Sequence, residues 1–68
     1  MSSLAEALPK EQARVRELIV LYRSLPDGAG NIAVAMMENS LRMADSAVMS
    51  GDVIAMNQSY EDLKGYKA

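Results

Sequence analysis

The sequence predicts an all-α domain of three short helices, the second and third forming an α-hairpin, with copies of the chain joined in a homodimeric helical bundle. Three observations carry the fold. Apolar residues recur at 3-4 spacing in three segments. Two breaks separate those segments, at Leu25–Gly30 and at Ser50–Asp52. No segment alternates with the period of two that marks a half-buried strand. The 68 residues read as a single helical domain, 1–68.

Residues 1–8 form an N-terminal segment. Ser3 followed by Glu6 has the spacing of a capping box. The stretch either makes a short helical turn that ends before Pro9 or is a frayed tail. Pro9 suits the first position of a helix, where its missing N–H is not needed. Helix one is expected over 9–25. Val15, Leu18, Tyr22 and Leu25 form its core stripe, widened by Ile19 and Leu21. Pro26 resists continuation, and Asp27-Gly28 is turn chemistry.

Helix two is expected over 31–50, capped by Asn31 or Asp27. Val34, Met37, Leu41, Ala44 and Val48 step along one face. Glu38 with Arg42 and Arg42 with Asp45 have the spacing of surface ion pairs. Gly51 suits a left-handed helix end, and Asp52 suits the cap of the next helix. Helix three, 52–65, carries Val53, Met56, Tyr60 and Leu63 inward and ends at Gly65. Tyr66 to Ala68 are left as a tail. The Gly51-Asp52 turn with Met56 and Tyr60 has some likeness to the middle of a tetratricopeptide repeat, but 68 residues leave room for at most one such unit beside helix one, and a generic helical hairpin is the preferred reading.

Composition removes several classes of function. The chain has no Cys and no His. That excludes disulfide staples, thiolate or imidazole metal sites and the common nucleophile–base pairs. No catalytic residue, metal site or cofactor is expected. Glu38, Asp45, Glu61 and Asp62 lack the Glu-x-x-His motif that a carboxylate metal site in a bundle uses. Asp27–Gly30 precedes a helix but lacks the Lys and Ser/Thr of a phosphate loop. The formal charge is −2, against the basic excess of duplex-binding modules. No signal peptide or membrane-length apolar run is visible, so the expected location is the cytoplasm.

What remains is a surplus of apolar surface. A chain of this mass exposes roughly 4,200 Å² when folded and buries only about 60% of its open-chain surface. Such chains often gain stability by oligomerising. With the core stripes at heptad positions a and d, Val20 falls at f, opposite the seam, and Met36 and Met43 both fall at c. Ile32 lies one turn before Met36, and Ile54 at b on helix three. A three-helix monomer cannot bury both sets. Val20, Ile32, Met36, Met43 and Ile54 are therefore the candidate dimer or partner interface. Methionine suits an adaptable surface, and the small Ala33, Ser40, Ala44 and Ala47 permit close helix approach.

The polar candidates are Lys10, Arg14, Arg16, Arg23 and Tyr66, which could meet an acidic partner, a phosphate or a nucleobase. Glu6, Glu11 and Glu17 intersperse the basic residues, as on an ordinary solvated face.

Leu8-Pro9, Glu11, Arg14 to Glu17, Tyr22, Ala35-Met36-Met37, Ala44-Asp45, Ser50-Gly51-Asp52, Tyr60-Glu61 and Leu63-Lys64-Gly65 together resemble a group of very small accessory proteins of proteobacterial phages and prophages. The Pro26–Gly30 loop departs from that group. The resemblance implies a cytoplasmic protein of the infected host that binds and inhibits a host protein, such as a transcription or quorum-sensing regulator or a defence component. Within the same class, an oligomeric sponge that sequesters a small nucleotide is the alternative. It would use Arg14, Arg16 or Arg23 with a stacking Tyr. A small DNA-binding regulator comes last, since helix three carries no basic residue before Lys64.

Overall fold

A computed structural model describes residues 3–67. It is all-helical. Helix α1 spans Leu4–Arg23, α2 Asn31–Ser50 and α3 Val53–Lys64, with a single 3-10 turn at Pro26–Gly28 between the first two. Each helix packs against both others. No described helix is long and apolar enough to cross a membrane.

Helix α1 begins five residues before the expected start at Pro9. Ser3 is its extended N-cap, and its carbonyl accepts from the N–H groups of Glu6 and Ala7 at 3.0 and 2.8 Å. No side-chain bond from Ser3 closes the capping box. Pro9 lies inside the helix. An interior proline costs about 3 kcal/mol, partly because the carbonyl four residues back loses its donor. Here that carbonyl belongs to Ala5, which is exposed and open to water. Continuing the helix also places Leu8 in the core at 0% exposure and packs Leu4 against it. Burying two Leu side chains offsets the local cost.

The exit from α1 comes at Arg23, two residues before the expected end. Leu25 is extended (φ −69°, ψ 141°), as the residue before a proline prefers. It lies outside the helix and is exposed. Asp27 and Gly28 then take positive φ to reverse the chain. Gly30, rather than Asn31 or Asp27, caps α2, and no side-chain bond assists it. A Cβ on Gly30 would stand 2.2 Å from the Tyr22 carbonyl oxygen. Only glycine lets the start of α2 approach α1 this closely.

The second turn forms as the sequence implies. Gly51 is left-handed (φ 67°), and the N–H of Asp52 returns to the Ala47 carbonyl at 3.1 Å. The Asp52 carboxylate accepts from the Ala55 N–H at 3.1 Å and caps α3.

The core consists of Leu8, Val15, Leu18 and Ile19 from α1, Val34, Met37, Leu41 and Ala44 from α2, and Leu63 from α3. Tyr22, Met56 and Tyr60 pack half-buried at its edge. Four expected core residues lie outside it. Leu21 and Leu25 flank the α1 exit, Val48 sits beside the buried Ala47, and Val53 is the first residue of α3 and is exposed. A three-helix seam is narrow, and α3 contributes only three turns to it.

The expected pair between Glu38 and Arg42 is replaced by a cross-helix bond from Arg23 to Glu38 at 2.6 Å. Asp45 likewise turns to α1, accepting from Gln12 at 2.8 Å with Arg16 3.9 Å away. Residues 65–67 are not a loose tail. Arg14 donates to the carbonyls of Leu63 and Tyr66, Tyr22 donates to the Lys67 carbonyl, and the Tyr66 hydroxyl meets Ser40. The sequence placed Ala68 in the same tail, and it lies outside the described residues.

Candidate interaction surface

Helix α2 contacts α1 on one flank and α3 on the other, leaving an outward strip between. Ile32, Met36 and Met43 stand on that strip at 80%, 56% and 60% exposure. They follow one another at four and seven residues, close to one and two helical turns, so they line up along the axis. Asn39 sits between the two methionines, with its amide 3.8 Å from the Met43 sulfur.

Beside this strip, α2 and α3 enclose an open groove of about 430 Å³. Met36 and Met43 form one wall, and Ala55, Gln58 and Asp62 the other. Ser40, Ser59 and Tyr66 line the space between. The Ser40 and Tyr66 hydroxyls are 2.8 Å apart, so this polar base is internally satisfied. The small Ser40, Ala47 and Ser59 are buried. Their size lets the two helices come close while the bulky methionines stand proud of the seam. The groove therefore has flexible apolar walls and a shallow form, which suits the side chains of another helix.

The remaining exposed apolar residues gather at the two ends of the bundle. Val20, Leu21 and Leu25 surround the α1–α2 connection, close in sequence to Ile32. Val48, Met49, Val53 and Ile54 surround the α2–α3 turn, with Met49 the most exposed at 88%. The sequence singled out Ile54 but not the cluster. Its cause is the hairpin itself, which brings the end of one apolar stripe beside the start of the next.

The polar candidates separate. Arg14 and Tyr66 are half-buried and bonded within the chain, so they serve the fold and do not form a free contact. Arg16 and Arg23 remain exposed but face Asp45 and Glu38. Lys10 is exposed on α1. Arg14, Arg16 and Arg23 thus point to different carboxylates rather than converging on one anion site. Among the described residues, no group of three Asp or Glu is placed to hold a metal ion.

No family model, curated protein or solved structure matches this chain.

Proposed function

We propose that this chain is a small non-catalytic binding protein that blocks a host protein by stoichiometric contact. One observation carries the reading. Among the described residues, ten large apolar side chains, including Val20, Ile32, Met36, Met43 and Ile54, stand at least 40% exposed. Scattered apolar residues are ordinary on a protein surface. Collinear residues on α2 and clusters at both bundle ends are the pattern of interfaces. The likeness to phage accessory proteins supplies the context of inhibiting a bacterial regulator or defence component.

The test compares the tagged chain with a Val20→Glu/Ile32→Glu variant as bait in a proteobacterial lysate, with mass spectrometry of what is retained. The expected result is one protein recovered in near-equal molar amount by the unaltered chain and lost by the variant. A bait that retains nothing in stoichiometric amount, or retains the same protein with either chain, overturns the reading.

A further inference from the structure

We infer that the α2–α3 groove is the seat of a second copy of this chain, whose own α2 supplies the apolar side chains and the cation that the groove lacks. The inference deepens the binding reading above and assigns Met36 and Met43 to self-association, leaving the bundle ends free for a different protein.

Shape gives the first reason. The chain has a radius of gyration of 12.4 Å and extents of 39 × 23 × 15 Å. A compact domain of this length would have a radius of about 11 Å. The accessible surface is 4654 Å², about 450 Å² above the roughly 4,200 Å² that surface scaling gives for this mass. The molecule is thinner and more exposed than a self-sufficient domain of its size. Covering one face with a second copy removes that excess.

Charge gives the second reason and selects the occupant. Asp62 is the one charged residue that lines the groove, and it makes no ion pair among the described residues. The groove therefore suits a helix with apolar side chains on one face and a cation beside them. Of the basic residues, Arg14, Arg16, Arg23 and Lys64 pair with carboxylates of their own chain. Lys10 and Lys67 are not part of α2. Arg42 is exposed and makes no ion pair among the described residues. It directly precedes Met43. Helix α2 thus combines exposed apolar residues two turns apart with an unpaired cation on their flank. In a two-fold pair each contact occurs twice, so Arg42 of each copy meets Asp62 of the other. Desolvated by the methionines around it, that pair also fixes the register of the two helices.

The test is sedimentation equilibrium of the full chain over a range of concentrations reaching millimolar, with circular dichroism to confirm that each variant stays helical. The expected mass is twice 7.4 kDa. Met36→Glu/Met43→Glu should be monomeric and still helical, whereas Val20→Glu should remain dimeric. Arg42→Asp and Asp62→Arg should each weaken the dimer about tenfold, and the two together should restore it. A chain that stays monomeric throughout, a dimer that survives the methionine pair, or a charge swap without rescue overturns the inference. If the chain is monomeric yet loses its lysate partner on substitution of the methionines, the groove belongs to a heterologous helix. In that case the binding reading stands and the dimer falls.

Discussion

The guanidinium of Arg14, midway along α1, donates to the Leu63 carbonyl of α3 at 2.8 Å across 49 residues of sequence. The same group reaches the Tyr66 carbonyl at 2.7 Å and the Glu11 carboxylate at 2.8 Å. The last carbonyls of a helix lack internal donors and carry its negative pole. Arg14 bonds to the Leu63 carbonyl in the last turn of α3 and to the Tyr66 carbonyl just beyond it, and so holds residues 65–67 against α1. The side chain is 37% exposed, which lowers the contribution of each bond. Arg14→Ala should cost about 1–2 kcal/mol in urea unfolding. Arg14→Lys should recover little of it, because a single ammonium cannot reproduce the planar fork. An unchanged unfolding midpoint in both variants would show that the clamp adds nothing.

Pro9 supplies a more direct test of where α1 begins. If the helix passes through this position, Pro9→Ala restores a donor to the Ala5 carbonyl and should stabilise the protein. The expected gain is about 1–3 kcal/mol, reduced by the extra freedom the unfolded chain acquires. A helix starting at Pro9 would instead lose stability or be unchanged by the same substitution. Leu8→Ala is the companion measurement. Its side chain is fully buried, so about 2–5 kcal/mol should be lost. Leu21→Ala, at an exposed site on the same helix, should stay within about 0.5 kcal/mol.

The contrast between these leucines shows what the sequence could and could not reveal. Periodicity correctly placed Val34, Met37, Leu41 and Ala44 inside, because they occupy the middle of a long helix flanked on both sides. Turn chemistry correctly placed Gly51 and Asp52, because both roles are local. The passage of α1 through Pro9 was not legible, since it depends on what Leu8 gains from α2 and α3. Nor was the burial of Tyr66, whose partners Arg14 and Ser40 lie 52 and 26 residues away. At the candidate surface, heptad phase alone exposed Met36 and Met43. The groove beside them and the place of Asp62 in its wall required the register between α2 and α3.

Gly28, Gly30 and Gly51, at the two turns, should respond to substitution in a set order. Gly30→Ala places a methyl group 2.2 Å from the Tyr22 carbonyl oxygen. Backbone cannot move aside as a flexible side chain can, so α2 must shift off α1. More than about 2 kcal/mol should be lost, as for overpacking a close contact. At Gly51 a methyl group meets nothing within 4 Å, and the penalty is only that of a left-handed alanine, about 1 kcal/mol. Gly28→Ala combines positive φ with a Cβ 2.7 Å from the Asn31 amide, which is side chain and can rotate. Its loss should fall between the two. Thermal midpoints would rank them, and a Gly30 variant more stable than the Gly51 variant would contradict the close approach of α1 and α2.

Ser40 and Tyr66 test whether the groove base is built or incidental. Their hydroxyls are 2.8 Å apart, and Ser40 is 5% exposed. Removing either one deprives the other of this partner at the part-buried base of the groove. Ser40→Ala and Tyr66→Phe should each cost about 1 kcal/mol. Because both substitutions delete the same bond, the double variant should cost less than the sum of the two, with a coupling of about 0.5–1 kcal/mol. Full additivity in the cycle would mean that water, not the partner hydroxyl, satisfies each group. The groove base would then adapt to an occupant instead of holding one shape for it. Coupling of the expected size would mean that the polar base is preorganised, leaving Met36 and Met43 as the adaptable part of the surface.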